Sequence, residues 1–382
     1  MYKKIGILTY FWTDNPGTFL QAYSIQEAYR RVLVDDRVEV INYQSFRWRW
    51  RPNFSHMTVG QWKRDLTRHA KYNWCRRHRL NLTPRRLVCE DPAKAWRFLS
   101  AFRYDLISVG SDTLLELWRT KADGVTAYWL NPEIPARKVM CAASARATQF
   151  TDLCDGQKDY MRTSVRDFDL LGVRDAATYE LLRCLGVNGE KLRVVPDPTF
   201  AYEIDPSHAD AYFHKRGITF DRPTVALHLL RQMSWAGELA SSFRAMGWQV
   251  LSLRPAAYAD YVVNDISPFE WAGLFGACDL VITHRFHDTV FSLKNKKPTV
   301  VLVPNRDRVT TSGDSKYHTC KRLFDFDNVQ LIEDWTRVSA DEVLEKGLLA
   351  FRNHRPEPME TKLQALKEAF QSYIKRVADL LN

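Results

Sequence analysis

The chain has 382 residues, 45% of them hydrophobic, and a net charge of +10. This length allows two buried cores and a prior of two to three domains, and no run of ~18 apolar residues appears that a hydropathy-defined membrane helix requires. Seven cysteines, at 75, 89, 141, 154, 184, 278 and 320, form no CxxC pair, so neither a disulfide framework nor a zinc site is expected and a reducing cytoplasm fits best.

Lys4 to Tyr10 reads as a first strand, too short for the apolar region of a signal peptide. Asp14-Asn15-Pro16-Gly17 reads as a turn, after which Leu20, Tyr23, Ile25 and Ala28 recur at helical spacing. A second strand is expected at Arg37 to Tyr43. The segment that follows, 47–86, holds twelve Lys or Arg against one acid, Asp65. Its net +11, set against the chain's +10, leaves −1 for everything else. Cations alternate with aromatics from Phe46 to Arg51 and again from Lys71 to Arg79. Such a segment suits an anionic membrane surface or a phosphorylated, lipid-linked acceptor; it equally suits docking on the protein's own body or a second subunit. Nucleic acid is the weakest fit.

Tyr104 to Val109 leads to Gly110-Ser111-Asp112, and Arg137 to Ala143 leads to Ser144, each a buried strand ending in a small polar turn. Strands at Leu170 to Val173 and Leu192 to Val195 flank a helix from Ala176 to Leu185, which Gly186 stops. The polar stretch from Pro196 to Pro223 reads as a crossing between domains. A second alternation then starts: strand Thr224 to Leu230, helix Trp235 to Met246, strand Gln249 to Leu253 and helix Pro268 to Ala277. Alternating strands and helices require parallel sheets with right-handed crossovers, so the expected fold is α/β, with two doubly wound Rossmann-like domains facing across a cleft. The expected boundaries are 1–200, carrying the insertion 47–86, then 201–356, then a helix over 357–382. That helix places Leu363, Leu366, Phe370, Ile374, Val377 and Leu381 on one face, which is expected to pack back on the first domain.

One junction concentrates chemistry. The apolar strand Leu280 to Thr283 stops at His284-Arg285-Phe286-His287, and a helix resumes. At the carboxyl end of a parallel strand, a helix N-terminus presents open amides and a positive dipole to an anion. Arg285 adds a planar fork for carboxylate or phosphate, and His287 can move a proton near neutral pH. The next strand, Val300 to Val303, ends in a loop with Arg306 and Arg308. His284 is set aside, because an extended junction turns it away from His287.

In chain order, Asn15 to Tyr23, Gly110-Ser111-Asp112, Cys141 to Ser144, Val173-Arg174-Asp175, Asp197 to Phe200, Leu280 to Val290 and Lys297-Pro298 are similar to motifs of the polysaccharide pyruvyl transferase family. The chain resembles that family over most of its length, except that Thr113 to Trp118 depart from its pattern and 47–86 match none of its motifs. The resemblance implies a fold like that of B-type two-domain glycosyltransferases. It further implies phosphoenolpyruvate as donor and two saccharide hydroxyls as acceptor, yielding a pyruvate ketal and phosphate, with the first domain on the acceptor side and the second on the donor side. On that reading Arg285, Arg174, Arg306 and Arg308 hold the donor, His287 is the acid, Asp112 takes a hydroxyl proton, and Asp14, Asn15 and Gly17 border the acceptor. No metal or cofactor is expected.

Plainer roles remain open for several of these residues. Arg174 suits an ion pair with Asp175 or Glu180, Asp112 a helix cap, and Asp197 a turn. Two other functions also stay open: a nucleotide-sugar glycosyltransferase, or a non-catalytic binder of anionic glycans or membranes through 47–86.

Overall fold

The computed structural model describes residues 2–34, 37–46, 59–117, 124–146, 148–304, 316–324 and 328–382. The first half runs β1 (Lys4–Leu8), α1 (Pro16–Val32), β2 (Arg37–Val40), β3 (Tyr43–Gln44), α2 (Val59–Arg79), β4 (Leu87–Val88) and α3 (Pro92–Ser100). It continues through β5 (Leu106–Val109), β6 (Arg137–Ala143), α4 (Asp155–Arg166), β7 (Leu170–Val173), α5 (Ala176–Cys184) and β8 (Leu192–Val194). The second half begins with α6 (Ser207–Arg216), β9 (Thr224–His228), α7 (Ala236–Ala245), β10 (Gln249–Ser252), β11 (Tyr261–Val262) and α8 (Pro268–Leu274). It ends with β12 (Leu280–Thr283), α9 (Phe286–Lys294), β13 (Thr299–Leu302), α10 (Lys316–Phe324), β14 (Val329–Ile332), α11 (Ala340–Arg352) and α12 (Pro356–Asp379).

Two six-stranded parallel sheets carry the fold, in the orders β2-β1-β5-β6-β7-β8 and β11-β10-β9-β12-β13-β14. Chain order reverses beside β1 and β5 in the first sheet and beside β9 and β12 in the second. In doubly wound sheets ligands bind at such reversal points, beyond the carboxyl ends of the strands. The strands are apolar on both faces because helices cover both. Successive residues enter different cores: Val281 joins the apolar cluster that runs between the two sheets, while Leu280 and Ile282 join the outer cluster of the second.

Two differences from the sequence reading matter for the site. The basic insertion contains a 21-residue helix, α2, which its low apolar content hides. The stretch read as a crossing contains α6, which buries only Ala209, Tyr212 and Phe213 and packs on α8. Helix α12 lies on first-half elements as expected: the Tyr373 hydroxyl donates to the Met140 carbonyl, and its ring occupies the space a Cβ on Gly172 would need. Among the described residues no helix is long and apolar enough to cross a membrane.

Candidate functional site

At the first reversal point Asn15 caps α1, accepting from the Gly17 amide at 3.1 Å, and Pro16 presets the first turn. Asp112 follows β5 at φ 91°, in the left-handed region; its carboxylate accepts from Thr18 Oγ1 at 3.0 Å and from the Thr113 amide at 2.7 Å. Asp14 is committed elsewhere. It pairs with Arg76 and, at 2.8 Å, with His69, both on α2. The same helix reaches the second half through Arg64 to the Val262 carbonyl (2.9 Å), Arg68 to the Asn264 carbonyl (3.3 Å) and Lys71 to Glu270 (2.6 Å). Within the described part of the insertion, these cations clamp the helix across both halves. The aromatic-cation run 47–51 lies outside the described residues.

At the second reversal point, β9 ends in His228 and β12 leads into His284 and Arg285. His228 Nδ1 donates to Asp288 at 2.5 Å, which also accepts from Thr283 Oγ1 at 2.9 Å. His284 Nδ1 donates to the His228 carbonyl at 2.6 Å, leaving its Nε2 as an acceptor. Burial, reinforced by His228, pulls the His284 pKa down to about 3, so this ring is neutral at physiological pH. Arg285 is the N-cap residue of α9 and supplies no side-chain cap, so the first-turn amides remain available to an anion.

A buried polar cluster joins the two points. Asp197 accepts from Gln21 (2.7 Å), Arg174 (2.9 Å) and Thr199 Oγ1 (2.6 Å), and His287 Nε2 lies 3.6 Å away. That last contact is ionic in range, too long for a hydrogen bond. Arg174 also lies 3.7 Å from Asp112 and over the Phe286 ring. The His287 ring fills the space beside Gly17, where an added Cβ would fall 2.1 Å from its Cγ and Nδ1, so only glycine fits. Burial raises the Asp197 carboxyl, but His287, Arg174 and Thr199 outweigh it and hold the group well below the usual range. For Asp288 burial is likewise outweighed, chiefly by His228.

Both carboxyls are depressed on folding, so their stabilisation is present above the unfolded value of about 4 and is lost as pH falls through the folded values. Thermal melts are therefore expected to decline already below about pH 6.5, where histidines charge in the unfolded chain while His284 stays neutral in the fold, and to fall more steeply below about pH 4 as the two carboxyls lose their stabilisation. Asp197→Asn is expected to lower the melting temperature at neutral pH and flatten the acid limb. An unchanged acid limb in this variant would contradict the assignment.

Between the halves lies a cleft of about 710 Å³, bordered by Asp14, Asn15, His228, His284, Arg285, Arg231 and Arg254, with α2 contributing further residues. Burial and the neighbouring Arg231 and Arg285 lower the Arg254 pKa, as like charges crowded together do. Of the residues expected at the site, Arg285, Asp14 and Asn15 border this cleft. His287, Asp112, Arg174 and Gly17 form the adjoining cluster, with Arg174 enclosed at 2% side-chain exposure. Arg306 and Arg308 lie outside the described residues. Sequence reasoning passed over three features. Asp197 caps its turn as expected, yet also anchors the cluster; His228 was read only as part of a strand; and Arg231 and Arg254 follow strand ends without a motif.

A family profile described as Polysaccharide pyruvyl transferase matches residues 15–306. The chain belongs to the polysaccharide pyruvyl transferase family. The matched span covers both reversal points and the polar cluster, and includes the whole of the α2 insertion. Membership carries with it a transferase class and a polysaccharide acceptor. No curated protein matches the chain significantly. Among solved structures it is similar to a putative UDP-N-acetylglucosamine 2-epimerase from Listeria monocytogenes, at 10% identity and TM-score 0.59 over 95% of this chain and 91% of that one. It is also similar to UDP-GlcNAc 2-epimerase from Neisseria meningitidis bound to UDP-GlcNAc, at 8% and 0.54 over 99% and 100%. A third similarity is to Anabaena HepE in complex with UDP and glucose, at 12% and 0.53 over 100% and 99%. At these identities the likeness establishes the fold alone, a GT-B-like pair of Rossmann-like domains.

Proposed function

We propose that the chain transfers the pyruvyl unit of phosphoenolpyruvate to two hydroxyls of a saccharide, forming a pyruvate ketal and releasing phosphate. The observation that carries this is the trio Arg231, Arg254 and Arg285. They border one cleft beside the open N-terminus of α9, and among the described residues none has a carboxylate within ion-pair reach. A donor bearing one carboxylate and one phosphate neutralises such a trio, and arginine forks suit both groups.

His287 supplies a proton to the methylene carbon of the donor, which becomes a methyl group and leaves an oxocarbenium-like centre at C2. Asp197, beside Nε2, compensates the imidazolium whenever that ring is charged. One acceptor hydroxyl attacks C2 and gives up its proton; the C2–O bond to phosphate then breaks, and a second hydroxyl completes the ketal. Of the two hydroxyl protons, one replaces the proton placed on the methyl group and the other leaves on phosphate. His228, with Nδ1 held by Asp288, has Nε2 free to accept a hydroxyl proton, and Asp112 is the second candidate base.

The test is incubation with phosphoenolpyruvate and a panel of galactoside, mannoside and N-acetylhexosamine acceptors, following product mass and phosphate. The expected product has gained one ketal-linked pyruvate, and Arg285→Ala is expected to raise the KM for phosphoenolpyruvate by at least about tenfold, as loss of a charge-assisted contact does. Thermal stabilisation by nucleotide diphosphates but not by phosphoenolpyruvate would sink the proposal.

A further inference from the structure

The insertion that matched no family motif in the sequence also roofs the cleft: Gln61, Asp65 and Arg68 of α2 border it. Facing them, after β11, is Asn264, which is 3% exposed. Its backbone carbonyl accepts from Arg68, yet its side-chain Oδ1 and Nδ2 are both buried without a partner among the described residues. An orphaned buried amide is costly and calls for an explanation, and a ligand supplies one. The next residue, Asp265, is already committed to Tyr212, at 2.6 Å, and to Arg216.

The chemistry of this group selects its partner. An amide presents one acceptor and one donor side by side, whereas phosphate and carboxylate only accept and leave Oδ1 unpaired. Hydroxyls donate and accept at once, so a pair of them satisfies both amide atoms. The cleft lies within the usual range of small-molecule sites, roughly 300–1,000 Å³, large enough for a sugar ring beside a three-carbon donor.

We propose that Asn264, with Gln61 and Asp65 of α2, forms a saccharide subsite that binds a hydroxyl pair of the acceptor, so that the insertion contributes to acceptor choice. Naming that saccharide as the acceptor rests on the pyruvyl-transfer reading; the subsite itself does not.

The test measures binding of methyl β-galactoside, methyl α-mannoside and methyl N-acetyl-β-glucosaminide to the full chain by saturation-transfer NMR, with phosphoenolpyruvate present and absent. At least one glycoside is expected to bind, and Asn264→Leu is expected to weaken it by about tenfold to a hundredfold, the effect of losing two hydrogen bonds. Because this substitution removes an orphaned amide, its melting temperature is expected to be equal or higher, and stabilisation by phosphoenolpyruvate unchanged. An amide with only a structural role gives the opposite pattern, a lower melting temperature with unaltered glycoside affinity. That pattern overturns the proposal, as does a wild-type chain that binds none of the three. If phosphoenolpyruvate gives no stabilisation, the pyruvyl-transfer reading fails, while the glycoside result still judges the subsite.

Discussion

His287→Ala is expected to lower phosphate release from phosphoenolpyruvate by about 10²- to 10⁴-fold, the usual contribution of a positioned acid. The ring sits on the first turn of α9, one residue past Phe286 and two past the cleft-facing Arg285, with its Nε2 beside Asp197 and its face against Gly17. It thus touches the first half of the chain while riding on the second. Because its partners are already satisfied by Gln21, Arg174 and Thr199, its removal is expected to leave the fold intact. Gly17→Ala provides an independent reading of the same geometry. Its Cβ would meet the ring at 2.1 Å, so a loss of comparable direction is expected with His287 still present. Circular dichroism and melting temperature separate lost chemistry from lost structure, and full activity in both variants would remove His287 from the mechanism.

The alternation of apolar strands and helices made both sheets legible, since strands covered on both faces read as short apolar runs such as Leu280 to Thr283. Arg285 and His287 were legible for the same reason, as polar residues that abruptly end such a run. What stayed hidden depends on contacts distant in sequence. Asp197 lies 176 residues from Gln21 and 23 from Arg174, so nothing local distinguishes a turn aspartate from the anchor of a cluster. His228 is paired with Asp288 sixty residues on, and looks like the end of a strand until β9 and β12 are laid side by side. The charge of the insertion alone could not separate an external anionic partner from docking on the protein's own body. Arg64, Arg68, Lys71 and Arg76 suggest an external anionic partner when counted, yet each is bound to a carbonyl or carboxylate of this chain.

Arg174→Met is expected to destabilise the protein by about 3–5 kcal/mol, the usual cost of removing one partner from a buried ion pair. The guanidinium is 2% exposed, donates to Asp197 at 2.9 Å, lies 3.7 Å from Asp112 and stacks over Phe286. Without it Asp197 keeps His287 and its neutral donors, but Asp112 loses its cation, and the link between β7, the Asp197 turn and the start of α9 is broken. Arg174→Lys is expected to rescue poorly, because an ammonium cannot span two carboxylates or stack as a planar fork does. Pairing Arg174→Met with Asp197→Asn removes both charges together and is expected to recover part of the loss, a coupling that a double-mutant cycle measures. Urea unfolding decides between this positioning role and direct donor binding. A residue that holds phosphoenolpyruvate raises KM for that substrate with little change in the unfolding midpoint, whereas a residue that holds the cluster lowers the midpoint first, and turnover falls with it.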